Sequence, residues 1–102
     1  MEFPCIYWST TVKMNLLARW VLVHSYLYYE MDYSVVQDSR YDANSKQLLD
    51  MIKEDITSWK RSRYYYAMKE FDGSTGFGFY QKLNTKDHQA VTLDAAILRD
   101  RF

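Results

Sequence analysis

The sequence predicts an all-α protein: a small helical domain of two longer antiparallel helices joined by a short loop, followed by one or two C-terminal helices. Three observations predict it. Apolar residues from Leu16 onward recur at helical spacing, and few residues remain that could alternate as a strand. Residues able to cap a helix stand ahead of the later helical stretches. Hydrophobic residues form 48% of the 102 and aromatics 18%, with 10 Tyr, 5 Phe and 3 Trp, which is ample for one packed core.

Residues 1–13 hold the single proline, Pro4, and a Ser9-Thr10-Thr11 cluster, and the amphipathic pattern begins at Met14-Asn15. Two readings stay open. This stretch is a dispensable leader with Met14 as an alternative start, or an arm whose Phe3, Ile6, Tyr7 and Trp8 pack on the helices. Residues 14–102 form the single domain. From Asn15 to about Met31, Leu16, Trp20, Val23, Leu27 and Met31 share one face, with Leu17, Val21, His24 and Tyr28 one step round. The pattern breaks over Asp32 to Gln37. Asp38 or Ser39 then offers a cap for a second helix, Ser39 to about Lys60, carrying Tyr41, Leu48, Ile52, Ile56 and Trp59.

Lys60-Arg61-Ser62-Arg63 puts positive charge where a helix C-terminus favours it. Beside Tyr64-Tyr65-Tyr66 the same run also fits a nucleic-acid patch with stacking platforms, but the helix-end reading is preferred. Tyr64 to Phe71 reads as extended chain or a helical turn. Asp72-Gly73-Ser74-Thr75-Gly76 is turn chemistry ahead of a short helix over Phe77 to Leu83. Thr85 offers a cap for a last helix with Val91, Ala95, Leu98 and Phe102 on one face.

Thirteen basic residues balance 13 acidic ones, which weakens both a general nucleic-acid binder and an acidic DNA mimic. Direct nucleic-acid binding is therefore not expected. Cys5 stands alone, so neither an internal disulfide nor a cysteine-based zinc site can form, and no metal is expected. Apolar runs such as Trp20 to Val23 are far short of the roughly 20 residues a membrane span needs. With Glu2 in place of a cationic leader, a cytoplasmic setting fits best.

The connection between the first two helices carries the most specific pattern. It reads His24-Ser25-Tyr26-Leu27-Tyr28-Tyr29-Glu30-Met31-Asp32-Tyr33-Ser34-Val35-Val36-Gln37-Asp38-Ser39-Arg40-Tyr41-Asp42, with Leu48 and Leu49 beyond. This segment resembles the N-terminal helical domain, domain Ia, of bacterial NAD-dependent DNA ligases. There a Tyr-Tyr or Tyr-His pair ends one helix, a short loop follows, and Asp-x-x-Tyr-Asp opens the next. The loop here has Tyr33-Ser34 where family members usually carry a proline. The resemblance implies a module binding NAD, or its nicotinamide mononucleotide part. Tyr28 and Tyr41 would flank the nicotinamide ring, and Tyr29, Asp38 and Asp42 would supply polar contacts. The chemistry is coherent, because a cationic ring is attracted to aromatic faces and carboxylates accept ribose hydroxyls or offset the charge. The plainer alternative makes Tyr28 and Tyr41 core aromatics and Asp38 a helix cap.

A ligase would also need its catalytic lysine in the order Lys-x-Asp-Gly. Lys69-Glu70-Phe71-Asp72-Gly73 is one residue too long and lies too soon after Asp42 for the intervening strands. It reads as a turn. The only histidines, His24 and His88, make no nucleophilic constellation by spacing, and Gly73, Gly76 and Gly78 lack the strand and Lys-Ser or Lys-Thr of a phosphate loop. No catalytic residue is expected and the chain is read as a non-enzyme. Besides the ligand-binding module, two roles stay open. One is a phage-type accessory or inhibitor protein that keeps the scaffold and docks on a bacterial host defence or replication enzyme. The other is a partner in trans for a separately encoded ligase core.

Overall fold

Ser9 opens the longest helix: its backbone is extended at φ −63° and ψ 158°, and its hydroxyl oxygen accepts the Val12 N–H at 3.2 Å. Helix α1 therefore spans Thr10–Glu30 and begins before the Met14-Asn15 expectation, so residues 10–13 belong to its first turn. Of the Ser9-Thr10-Thr11 cluster, Ser9 is the cap and the two threonines open the helix. The computed structural model describes residues 1–5, 7–73 and 76–102. Of the expected arm, Phe3 packs on the core and Trp8 is half-buried, Tyr7 is exposed, and Ile6 lies outside the described residues. Gln47 Nε2 donates to the Met1 carbonyl at 2.9 Å, tying this stretch to the second helix.

Helix α1 is the axis of the domain. Helices α2, Asp38–Glu54, and α5, Thr85–Arg101, pack on it, and shorter segments close the remaining sides. Its middle is enclosed so fully that Val21 through Ser25 are buried in succession. At its ends fewer neighbours cover it. Leu16 and Tyr28, expected on the buried face, are 38% and 54% exposed.

The expected second helix is two helices. At Asp55 the backbone leaves the helical region, with φ −145° and ψ 73°. Its carboxylate accepts the Ser58 N–H at 3.1 Å and the Ser58 hydroxyl at 2.7 Å, which caps helix α3, Ile56–Lys60. These bonds hold the Asp55 carboxyl below its usual range, and an aspartate that satisfies a new helix start competes with continuation of the old one. The redirection leaves Ile56 exposed and buries Trp59. Neither Asp38 nor Ser39 caps α2. Gln37 takes that position without a side-chain bond, and Asp38 sits in the first turn, where the helix dipole favours negative charge.

Beyond α3, the charge run sits at a helix end as expected. Ser62 is buried against Asn15, and Arg63 Nη2 reaches Asp87 Oδ1 at 2.7 Å. Tyr64 is buried, so the three tyrosines do not form a row of stacking platforms. Helix α4, Tyr65–Met68, is one turn, and a 3-10 turn over Phe79–Lys82 replaces the expected helix from Phe77 to Leu83. Gly78, in the left-handed region at φ 85°, redirects the chain into it. Asn84 rather than Thr85 caps α5, accepting the Asp87 N–H at 2.9 Å. Val91 and Ala95 are buried and Leu98 packs at the edge, but Phe102 is 74% exposed beyond the last helical residue. Trp59, Tyr80, Met14, Leu17, Leu48 and Met68 fill the core between these elements. Among the described residues there is no strand, and no helix is long and apolar enough to cross a membrane.

Candidate functional site

The last turn of α1 runs past the packed core. Leu27 is buried at 1% exposure, whereas Tyr28 and Tyr29 are 54% and 46% exposed. The chain then reverses: Asp32 takes a left-handed conformation at φ 51°, which aspartate tolerates better than most residues, and the Tyr33 N–H donates to the Leu27 carbonyl at 3.1 Å. Ser34 Oγ donates to the Val36 carbonyl at 2.8 Å and holds the approach to α2. In the first turns of α2, Asp38 and Asp42 stand four residues apart, on one face of the helix.

Between these ends lies a cleft of about 250 Å³, walled by Tyr28, Tyr29, Tyr33, Asp38, Tyr41 and Asp42, with Ser34 and Val36 from the connection and His24, Ser25 and Leu27 from α1. All five residues singled out by sequence line it. Asp38 and Asp42 are exposed, and Asp38 makes no capping bond that would engage its carboxylate. The plainer sequence alternative is thus not met for Tyr28, which is outside the core, or for Asp38, which is not a cap.

Tyr41 is half in the core and half in the cleft. Its hydroxyl is 2.6 Å from Ser25 Oγ and accepts the Gly76 N–H at 2.9 Å. With both bonds made inside the protein, what Tyr41 offers the cleft is its ring. Gly76 is buried so tightly against α1 that a side chain there would run into Ser25 Oγ and Val21. The next residue, Phe77, places its ring 4.7 Å from that of Tyr29, which in turn meets Tyr28 edge-on at 4.9 Å. Ser25, Gly76 and Phe77 thus support the cleft without having been singled out. Ser25 had a signal, lying one helical turn before Tyr28 and Tyr29. Gly76 and Phe77 had none, since their approach to α1 is long-range.

His24 is buried at the back of the cleft, its ring centroid 4.2 Å from that of Trp20. Burial, aided by the positive charge of Arg40, pushes its imidazole down to about 4, so the ring is neutral near pH 7. It is packed, on the side of α1 to which the apolar spacing assigns it. Behind the Tyr29–Phe77 contact, Tyr80 sets its ring edge-on to Phe77 and donates to Glu30 Oε1 at 2.8 Å, and its burial together with that carboxylate raises its phenol. Lys69 and Glu70 are exposed, and Lys69 is not among the residues of the cleft. Among the described residues no group of three or more His, Cys, Asp or Glu is placed to hold a metal ion. The lining brings four tyrosines and two carboxylates to one cleft, a chemistry suited to a flat, positively charged ring. Compared with family models, with curated proteins and with solved structures, the chain shows no match.

Proposed function

We propose that the chain is a non-catalytic binding module for the nicotinamide half of NAD, or for free nicotinamide mononucleotide, similar to domain Ia of NAD-dependent DNA ligases. One observation supports this most directly. The five residues that the resemblance selects, Tyr28, Tyr29, Asp38, Tyr41 and Asp42, come from two helices and line a single cleft. A cleft of about 250 Å³ lies just below the roughly 300 Å³ at which ligand sites ordinarily begin, and suits a mononucleotide half better than a whole dinucleotide. The aromatic and acidic lining fits a cationic pyridinium and its ribose. Titrating the protein with NAD and with the mononucleotide, by calorimetry or by amide chemical shifts, tests the reading. Shifts centred on residues 24–42, with Gly76 and Phe77 behind them, are expected, and no response at millimolar ligand refutes it.

A second reading rests on a neighbouring groove that shares His24 with the cleft. Leu16, Trp20, Val23, Ile97 and Leu98 line an apolar groove between α1 and α5, with Leu16 and Ile97 exposed. Such a patch suits a phage-type accessory protein docking on a bacterial host protein in the cytoplasm. Capture of the same host protein by the wild type and by Tyr28→Ala, with loss on Leu16→Glu, is the expected result. Under that outcome the cleft is not the working surface.

A further inference from the structure

The charge of the cleft is one-sided. Two carboxylates, Asp38 and Asp42, line it with four tyrosines, and no Lys or Arg is among its lining residues. His24, the only other titratable group of its wall that could carry positive charge, is kept neutral by burial. Arg40 is exposed on α2 between the two aspartates, and its field reaches His24, but it does not line the cleft. A helix N-terminus ordinarily attracts an anion, yet the first turn of α2 already presents Asp38 there. A nicotinamide mononucleotide carries a positive ring at one end and a phosphate of about −1.5 to −2 at the other. The cleft is built for the first of these and repels the second.

Resting on the nicotinamide reading, we propose that the cleft selects the positive charge of an N-glycosylated pyridinium and leaves the phosphate outside, so that the phosphate-free nucleoside, nicotinamide riboside, is its preferred ligand. The ribose stays within reach of the Asp38 and Asp42 carboxylates and the Ser34 hydroxyl. The 5′ end points to solvent. Chemistry that hydrolyses the 5′ phosphate ester of a nicotinamide mononucleotide, releasing inorganic phosphate, would supply this ligand, and phosphoryl transfer from a nucleoside triphosphate to its 5′ hydroxyl would consume it.

The full chain is titrated, at low salt and at 150 mM salt, with nicotinamide riboside, its mononucleotide, the neutral dihydropyridine form of the riboside, and ribose 5-phosphate, following amide shifts and heat. The riboside is expected to bind at least as tightly as the mononucleotide, and threefold or more tighter at low salt, with the gap narrowing as charges are screened. The neutral dihydropyridine form should bind about fivefold or more weaker, since it lacks the charge that the tyrosine faces attract. Ribose 5-phosphate should leave the cleft resonances unmoved. Asp38→Asn and Asp42→Asn, both at exposed positions, should each weaken the riboside about twofold to fivefold while narrowing its lead over the mononucleotide. If the mononucleotide binds threefold or more tighter than the riboside, and Arg40→Gln removes that lead, the phosphate is recognised; this proposal then fails and the nicotinamide reading stands. Equal binding of the charged and neutral rings overturns it as well. If none of the nicotinamide probes moves residues 24–42, both readings fall.

Discussion

His24 makes the stability of the domain depend on pH in a way that can be isolated. The imidazole is 7% exposed and is held down to about 4 from an ordinary 6.5, first by burial and then by Arg40. In the unfolded chain it takes up its proton as the pH falls through about 6.5, whereas the folded protein resists until about 4. The unfolded state therefore binds more protons in that window, and stability rises with pH across it. At roughly 1.4 kcal/mol per pH unit, about 3 kcal/mol is at stake between pH 7 and pH 4, and about 2 kcal/mol of it is already lost by pH 5. Against a total of roughly 5–15 kcal/mol for a small domain, that loss is large. Asp55, whose carboxyl is held below its usual range, adds a pH dependence of its own at the acid end, so the comparison is with His24→Gln. Urea unfolding of both proteins at pH 7, 6, 5 and 4 should show the wild type losing about 2 kcal/mol more than the variant between pH 7 and 5. Parallel losses, within about 0.5 kcal/mol, would refute the assignment of His24 as a buried neutral imidazole.

Three further outcomes follow from the packing. Tyr28→Ala should change stability by less than about 1 kcal/mol in urea unfolding, because the side chain is 54% exposed, yet abolish the nicotinamide titration; a loss of about 3–5 kcal/mol would instead mark a core aromatic. Gly76→Ala, which forces a methyl into Ser25 Oγ and Val21, should cost about 1–3 kcal/mol and weaken ligand binding by displacing the Tyr41 hydroxyl, read by thermal unfolding and the same titration. Asn84→Ala removes the α5 cap bond and should cost about 0.5–2 kcal/mol by urea unfolding, with ligand binding unchanged.

The sequence carried the elements better than their ends. Helical spacing between Leu16 and Leu27 announces α1, but the pattern is read from apolar residues, and the helix begins with Ser9, Thr10 and Thr11, which carry no apolar signal. Asp55 shows the converse. An unbroken apolar rhythm from Leu48 to Trp59 runs through a helix break, because one aspartate in the middle finds two bonds from Ser58. For Asn84 and Thr85 the cap residue types are both plausible, and position alone decided between them. The half of the site made by consecutive residues, Tyr28 through Asp42, was legible because a short connection forces the two helix ends together. The half made by Gly76 and Phe77 was not, since nothing local announces which distant segment a helix end will meet.

That division bears on what the cleft can do. Tyr28 and the two aspartates stand on exposed surface, so the cost of fixing a ligand there falls on the ligand and on side chains that the fold does not hold. Tyr41 differs: two internal hydrogen bonds, from chain segments on either side of it in sequence, hold its ring before anything binds. A ring already held loses little freedom on stacking, whereas an exposed tyrosine must give up rotamers to do the same. The cleft therefore pairs one fixed wall with one adaptable wall. Whichever ligand occupies it, the segment carrying Gly76 and Phe77 is part of the binding energetics, because it is what keeps the Tyr41 wall in place.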